Sequence, residues 1–141
     1  TLEDLADRIP NGLHDTMVSR LTVDFVSRTA VLEVSLWIGD LESDDESVRE
    51  ARRDAAIALR GLQFCVVDPP DPRYSYAAPE PLWFVDRSSP PPGARLPENV
   101  APGSFISSFF VNNWNSFVHV SALDAAIEWT EVADGQTTPR G

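Results

Sequence analysis

The chain has 141 residues, 43% apolar and 23% charged, with 22 Asp plus Glu against 11 basic residues and a formal net charge of -11. Nucleic acid and anionic membrane surfaces are disfavoured as partners, because both are bound through cationic side chains that neutralise phosphates, whereas a basic protein is favoured. Every basic residue is Arg, which excludes lysine chemistry, and the lone Cys65 excludes an internal disulfide and a multi-cysteine zinc site.

Residues 1–9 read as a short amphipathic helix: Leu2, Leu5, Ala6 and Ile9 share a face, Thr1 and Asp4 have capping-box spacing, and Pro10 stops the run. From Thr16 the period becomes two. Leu21, Val23 and Phe25 alternate with Thr22 and Asp24; after a Ser27–Thr29 turn, Leu32, Val34, Leu36 and Ile38 alternate with Glu33, Ser35 and Trp37, which predicts a hairpin with one wet face.

Residues 39–50 form an acidic link, with Ser43 and Glu46 at capping-box spacing before a helical turn. Residues 54–67 admit two readings. One continues that helix to Arg60 with Gly61 as its stop. The other, preferred, is a long strand whose apolar phase flips at Gly61 through a β-bulge, giving a hairpin plus third strand over 16–67.

Residues 68–103 hold ten of the twelve prolines and read as a packed covering segment, anchored by Tyr74, Tyr76 and Leu82–Val85, the last as a short edge strand. Over 104–132 the β pattern returns. Phe105, Phe109 and Val111 oppose Ile106 and Phe110, indicating burial on both faces; Asn112–Asn115 reverses the chain, Leu123 and Asp124 reverse it again, and 133–141 is a polar tail. The expected fold is mainly β (α+β): one domain, an antiparallel meander of about six strands curled into a sandwich or partly open barrel. No segment is long and apolar enough for a membrane helix and none resembles a secretory leader, so the expected location is cytoplasmic. The first residue is Thr1 rather than Met, which leaves room for an upstream piece.

Two histidines bound any imidazole chemistry. If their strands are neighbours, His14 and His119 with Asp15 or Asp124 would make a two-His, one-carboxylate metal or general-base site; the alternative is that both are hydrogen-bonded structural residues. In an extended strand His14 and Asp15 point to opposite faces, so they pair only if the backbone turns. The acidic link lacks the glycine and the terminal glutamate of a calcium loop. Cys65, in an apolar run, reads as an inert thiol. No nucleophile elbow or phosphate-binding glycine loop occurs, and no cofactor is expected. Trp37 on the wet parity of its strand, Trp83 in the proline-rich segment, and Trp114 with Asn113 in a turn are candidate binding residues; Trp37 alternatively lies buried beneath the proline-rich segment.

The segments PNGLHD, VLEVSLWIGDL, VVDPPDPRY, FFVNNWNSFVHV and DAAIEW resemble a family of small bacterial β-rich domains of unknown function, over Ile9 to Trp129. The Leu-His-Asp start is also similar to the Phe-His-Asp-Ala start of immunity protein 50-type proteins of polymorphic-toxin systems, with Leu13 and Thr16 as departures. These resemblances imply a bacterial protein with a role in toxin neutralisation and carry over no catalytic residue. The expected function is a non-enzymatic interaction module with an acidic surface for a basic partner. A small-ligand binder or metal-dependent hydrolase using His14 and His119 is the alternative, and a homo-oligomer joined through a free strand edge is the third reading.

Overall fold

The computed structural model describes residues 1–74 and 79–130. Tyr76, Val132 and the tail over 133–141 lie outside the described residues. The elements are α1 (Leu2–Asp7), β1 (Thr16–Asp24), β2 (Thr29–Trp37), α2 (Glu46–Arg49), β3 (Arg52–Arg60), β4 (Phe64–Val67), β5 (Leu82–Ser88), β6 (Phe105–Val111), β7 (Ser116–Ala122) and β8 (Asp124–Trp129). All eight strands form one antiparallel sheet in the order β4-β7-β6-β5-β1-β2-β3-β8. The sheet rolls around an apolar core but does not close into a barrel, since β4 and β8 end the order.

The helix forms as its pattern requires. The Thr1 hydroxyl accepts from the Asp4 amide at 3.2 Å, completing the capping box, and Leu2, Leu5, Ala6 and Ile9 join the core. The helix ends at Asp7, ahead of Pro10. The hairpin forms too, but its tip begins earlier: Asp24 Oδ1 accepts from the Val26 and Ser27 amides, so Phe25 leaves the strand and is 76% exposed. Between Val18 and Arg20 an extra residue, Ser19, bulges out of β1, shifting the inward parity from Thr16 and Val18 to Leu21 and Val23.

The segment after α2 is strand, hydrogen-bonded to β2 on one side and to β8 on the other. At its end Gly61 takes φ +63° and the chain turns a corner into β4. Arg60 faces Asp124 and Phe64 faces Ser121, so three residues oppose two, which is the expected one-residue bulge. The partner ribbon bends at the same point: β7 pairs with β4, then β8 pairs with β3. The strand read as 54–67 therefore appears as two, β3 and β4, and the described sheet has eight strands where about six were expected.

Two expectations are corrected. The Leu123–Asp124 pair does not reverse the chain, because Leu123 alone separates β7 from β8 and a hairpin needs at least a two-residue loop. Nor is β5 an edge strand: it lies between β1 and β6, because Pro81 precedes it and no proline interrupts residues 82–88. The surrounding segment is tied down elsewhere, with the Asp71 amide donating to Trp114 O, Asn115 Nδ2 to the Asp71 carboxylate and the Ala101 amide to Gln63 Oε1. Among the described residues no helix is long and apolar enough to cross a membrane.

Candidate functional site

Strand register places the aromatic candidates. On the outer face of the sheet, Trp83, Met17, Ser35 and Asp54 are successive cross-strand partners from β5 to β3, and Trp37 pairs with Arg52 one row further along. The acidic link then folds back over this face. The Trp37 indole N–H donates to Arg49 O at 2.7 Å, and the Ile38 amide donates to Ala51 O. Gly39 makes the approach possible: a Cβ there would lie 1.8 Å from Arg49 O. Asn11 Nδ2 holds the other side, donating to Trp37 O and Gly39 O. The result is a cleft of about 740 Å³ lined by Asp15, Met17, Trp37, Leu41, Arg49, Glu50, Arg52 and Trp83. Trp37 is half-buried, and its cover is the acidic link rather than the proline-rich segment.

At the inner end of the cleft the backbone does turn. Asp15 sits at φ +54°, its amide donating to Val85 O. This brings its carboxylate against His14, with Nε2 to Oδ2 3.2 Å, while its other oxygen accepts the Trp83 indole N–H at 2.8 Å. His14 Nδ1 contacts Asp86 at 2.8 Å. A bulge in β5 opposite β6 leaves Val85 and Asp86 out of the ladder, which frees Asp86 to reach His14. The hydrogen bond that the Asp86 carboxylate accepts from the imidazole raises the His14 pKa above its usual value, opposed by partial desolvation and reinforced by the Asp15 charge. Beyond the His14–Asp86 pair lies a second, polar cleft bounded by Asp7, Asn11 and Arg87.

The two histidines are not brought together. β6 and β5 separate the strand of His119 from β1, and Asp124 stands at the corner, 3.8 Å from Arg60 Nη1. The ligand set of His14, His119 and Asp124 is therefore not assembled, and among the described residues no group of three His, Cys, Asp or Glu side chains is arranged to hold a metal ion.

His119 has a different setting. It is 2% exposed, stacked on Phe117, and receives the Ser108 hydroxyl at Nδ1 (2.7 Å) while Nε2 donates to Asp68 at 3.1 Å. The three residues are linked in the order of a serine–histidine–aspartate relay but with the ring nitrogens exchanged, Ser108 meeting Nδ1 and Asp68 Nε2, and Ser108 is fully buried in the middle of β6. The arrangement satisfies a buried imidazole.

The remaining candidates make contacts within the fold. Asn113 clamps the start of β5, accepting from the Trp83 amide and donating to Pro81 O. Trp114 packs against the core. Asp40 and Asp45 cap local turns of the acidic link. Burial raises the Cys65 pKa, which keeps the thiol protonated.

Sequence reading missed Arg49, Arg52 and Asp86 at the cleft and Ser108 and Asp68 at the relay. Arg52 was reachable from hairpin register carried into β3. Asp86, which meets His14 from 72 positions away through a bulge, left no local signal. Comparison with known protein families, curated proteins and solved structures gives no match to this chain.

Proposed function

We propose that the protein is a non-enzymatic interaction module of the immunity type, acting in the bacterial cytoplasm, that engages a basic protein partner through the acidic surface around the Trp37–Trp83 cleft. One observation carries the reading. Asp40, Glu42, Asp44, Asp45, Glu46 and Glu50 are all exposed on the link that roofs the cleft, and Leu41 projects between them with 67% of its surface free. Half-buried aromatic anchors inside a charged rim are the usual anatomy of a protein interface, and dense like charge steers an oppositely charged partner to it.

The chemistry at the site supports the same reading. Both His14 nitrogens are engaged by carboxylates, and among the described residues the serine paired with a histidine, Ser108, is fully buried.

The test is capture from host lysate on the immobilised protein, at low and at high salt. Basic proteins retained at low salt, released at high salt and lost when Asp40, Glu42, Asp44 and Asp45 are changed to their amides would support the proposal. Retention indifferent to salt and to those changes would refute it.

A further inference from the structure

We infer that the protein forms a homodimer through the outer half of β1, residues 20–24, which pair antiparallel with the same residues of a second copy about a twofold axis at Thr22, independently of any partner that the cleft engages.

The edge is open because β5 covers only part of β1. β5 pairs with residues 16–18, and among the described residues no backbone hydrogen bond reaches residues 20–24 from the side away from β2. The strand keeps its alternation there. Leu21 and Val23 are partly buried against the core, whereas Arg20, Thr22 and Asp24 are exposed on the outer face. Just beyond, Phe25 and Val26 are 76% and 96% exposed, two adjoining apolar side chains held in solvent.

The occupant follows from reading this edge against its own reverse. About an axis at Thr22, Arg20 of each copy stands opposite Asp24 of the other, Leu21 opposite Val23, and Thr22 opposite Thr22, so ion pairs and a hydroxyl pair form on one face and apolar pairs on the other. The charged groups are already positioned: Arg20 meets Glu33 of its own hairpin at 3.4 Å, and Asp24 is fixed by the Val26 and Ser27 amides. The same register lays Phe25 beside Ser19 of the second copy. The end strands of the sheet lack this self-complementarity, since β8 carries Asp124 and Glu128 with no cation and β4 carries no charge. The net charge of -11 opposes self-association, but the acidic link joins the other end of the hairpin, about 26 Å along β2, beyond a screening length of about 8 Å. Because the axis stands perpendicular to the sheet, both Trp37–Trp83 clefts face the same side of the dimer.

Pairing over five residues a side belongs to the small, transient class of interface, so association is read by sedimentation velocity of the full chain from about 10 µM to about 1 mM. A dimer is expected at the upper end, with NMR amide shifts on dilution confined to residues around 19–26. Thr22→Lys, at an exposed position, sets like charges opposite each other on the axis and is expected to weaken the dimer at least about tenfold while the melting temperature stays unchanged. With Cys65→Ala as background, Thr22→Cys is expected to cross-link two copies in oxidised glutathione, since residues opposed across such an axis stand about 4.5 to 5.5 Å apart at Cα, within disulfide range. Thr130→Cys, equally exposed at the end of β8, is expected not to. A monomer at about 1 mM, a dimer indifferent to Thr22→Lys, or equal cross-linking at both positions would each overturn the inference.

Discussion

The Asp15 carboxylate accepts the indole N–H of Trp83 at 2.8 Å across 68 positions of sequence, from a residue whose backbone φ is +54°. That left-handed turn places an aspartate between the indole and His14 and closes the inner end of the cleft. Trp83→Phe keeps an aromatic side chain but removes the N–H donor together with part of the indole's packing, and is expected to lower stability by about 1 kcal/mol or more. Asp15→Ala loses both contacts and sets a Cβ-bearing residue without a compensating polar group at positive φ, for a cost of about 2 kcal/mol. Urea denaturation of both single variants and the double variant should show a double-variant loss smaller than the sum, since the two side chains form one contact. Strict additivity would show that the indole–carboxylate bond contributes nothing.

His14 makes the stability of this corner pH-dependent. Its pKa is raised in the folded protein, first by the Asp86 hydrogen bond, relative to an ordinary value of 6.5. The folded state thus binds the proton more tightly than the unfolded chain. The resulting stabilisation is fully present below about 6.5 and is lost as pH climbs through the higher folded value. Asp86→Asn should move the His14 NMR titration midpoint downward, and His14→Gln should flatten the fall in melting temperature over the window from 6.5 upward. Both groups are substantially exposed, so the effect is modest and weakens with salt. An unchanged midpoint in the Asp86 variant would assign the shift to another neighbour.

Gly61 is the hinge on which the two long ribbons bend together. Its φ of +63° disfavours any side chain, and a Cβ would stand 2.7 Å from Leu123 Cδ1 and 2.9 Å from Leu123 Cβ. Gly61→Ala is expected to cost about 2 to 3 kcal/mol, combining left-handed strain with overpacking. Adding Leu123→Ala should recover part of that loss by removing Cδ1, while the backbone strain and the Cβ contact stay. Chemical denaturation of the single and double variants measures both. Full recovery would place the entire cost in packing rather than in the backbone.

What could be read from the chain beforehand follows from how locally each feature is encoded. The capping box of α1, the β1–β2 hairpin and the Gly61 bulge lie within a few residues of the side chains that cause them. The position of β5 did not, because local proline density speaks to which segments cannot pair and not to where the intervening strand inserts. Trp37 was singled out on the wet parity of its strand and Trp83 in the proline-rich segment, each by itself, yet their meeting depends on β5 pairing with β1 from over sixty residues away. The bulges at Ser19 and at Val85–Asp86 each re-aim a side chain, and neither carries a glycine to mark it. The His14–His119 pairing failed for the same reason: it assumed adjacency of two strands that the sheet order keeps apart.

The Ser108–His119–Asp68 relay separates geometry from reactivity. Ser108 donates to an imidazole that is anchored by a carboxylate, and a shape-based search would mark it as a nucleophile. Its hydroxyl is nevertheless fully buried, so the native protein is expected not to react with a fluorophosphonate probe, as judged by intact mass. Labelling at Ser108 in native buffer would show that the outer face opens and would revive a catalytic reading. Ser108→Ala should instead act on folding. It removes the donor to His119 Nδ1 in an environment that admits no replacement, an effect of about 1 to 3 kcal/mol. Asp68→Asn tests the other end, where the acceptor is 41% exposed and water can substitute, so a smaller loss is expected. If the Asp68 change costs more than the Ser108 change, the imidazole is held chiefly by its surface carboxylate and not by the buried hydroxyl.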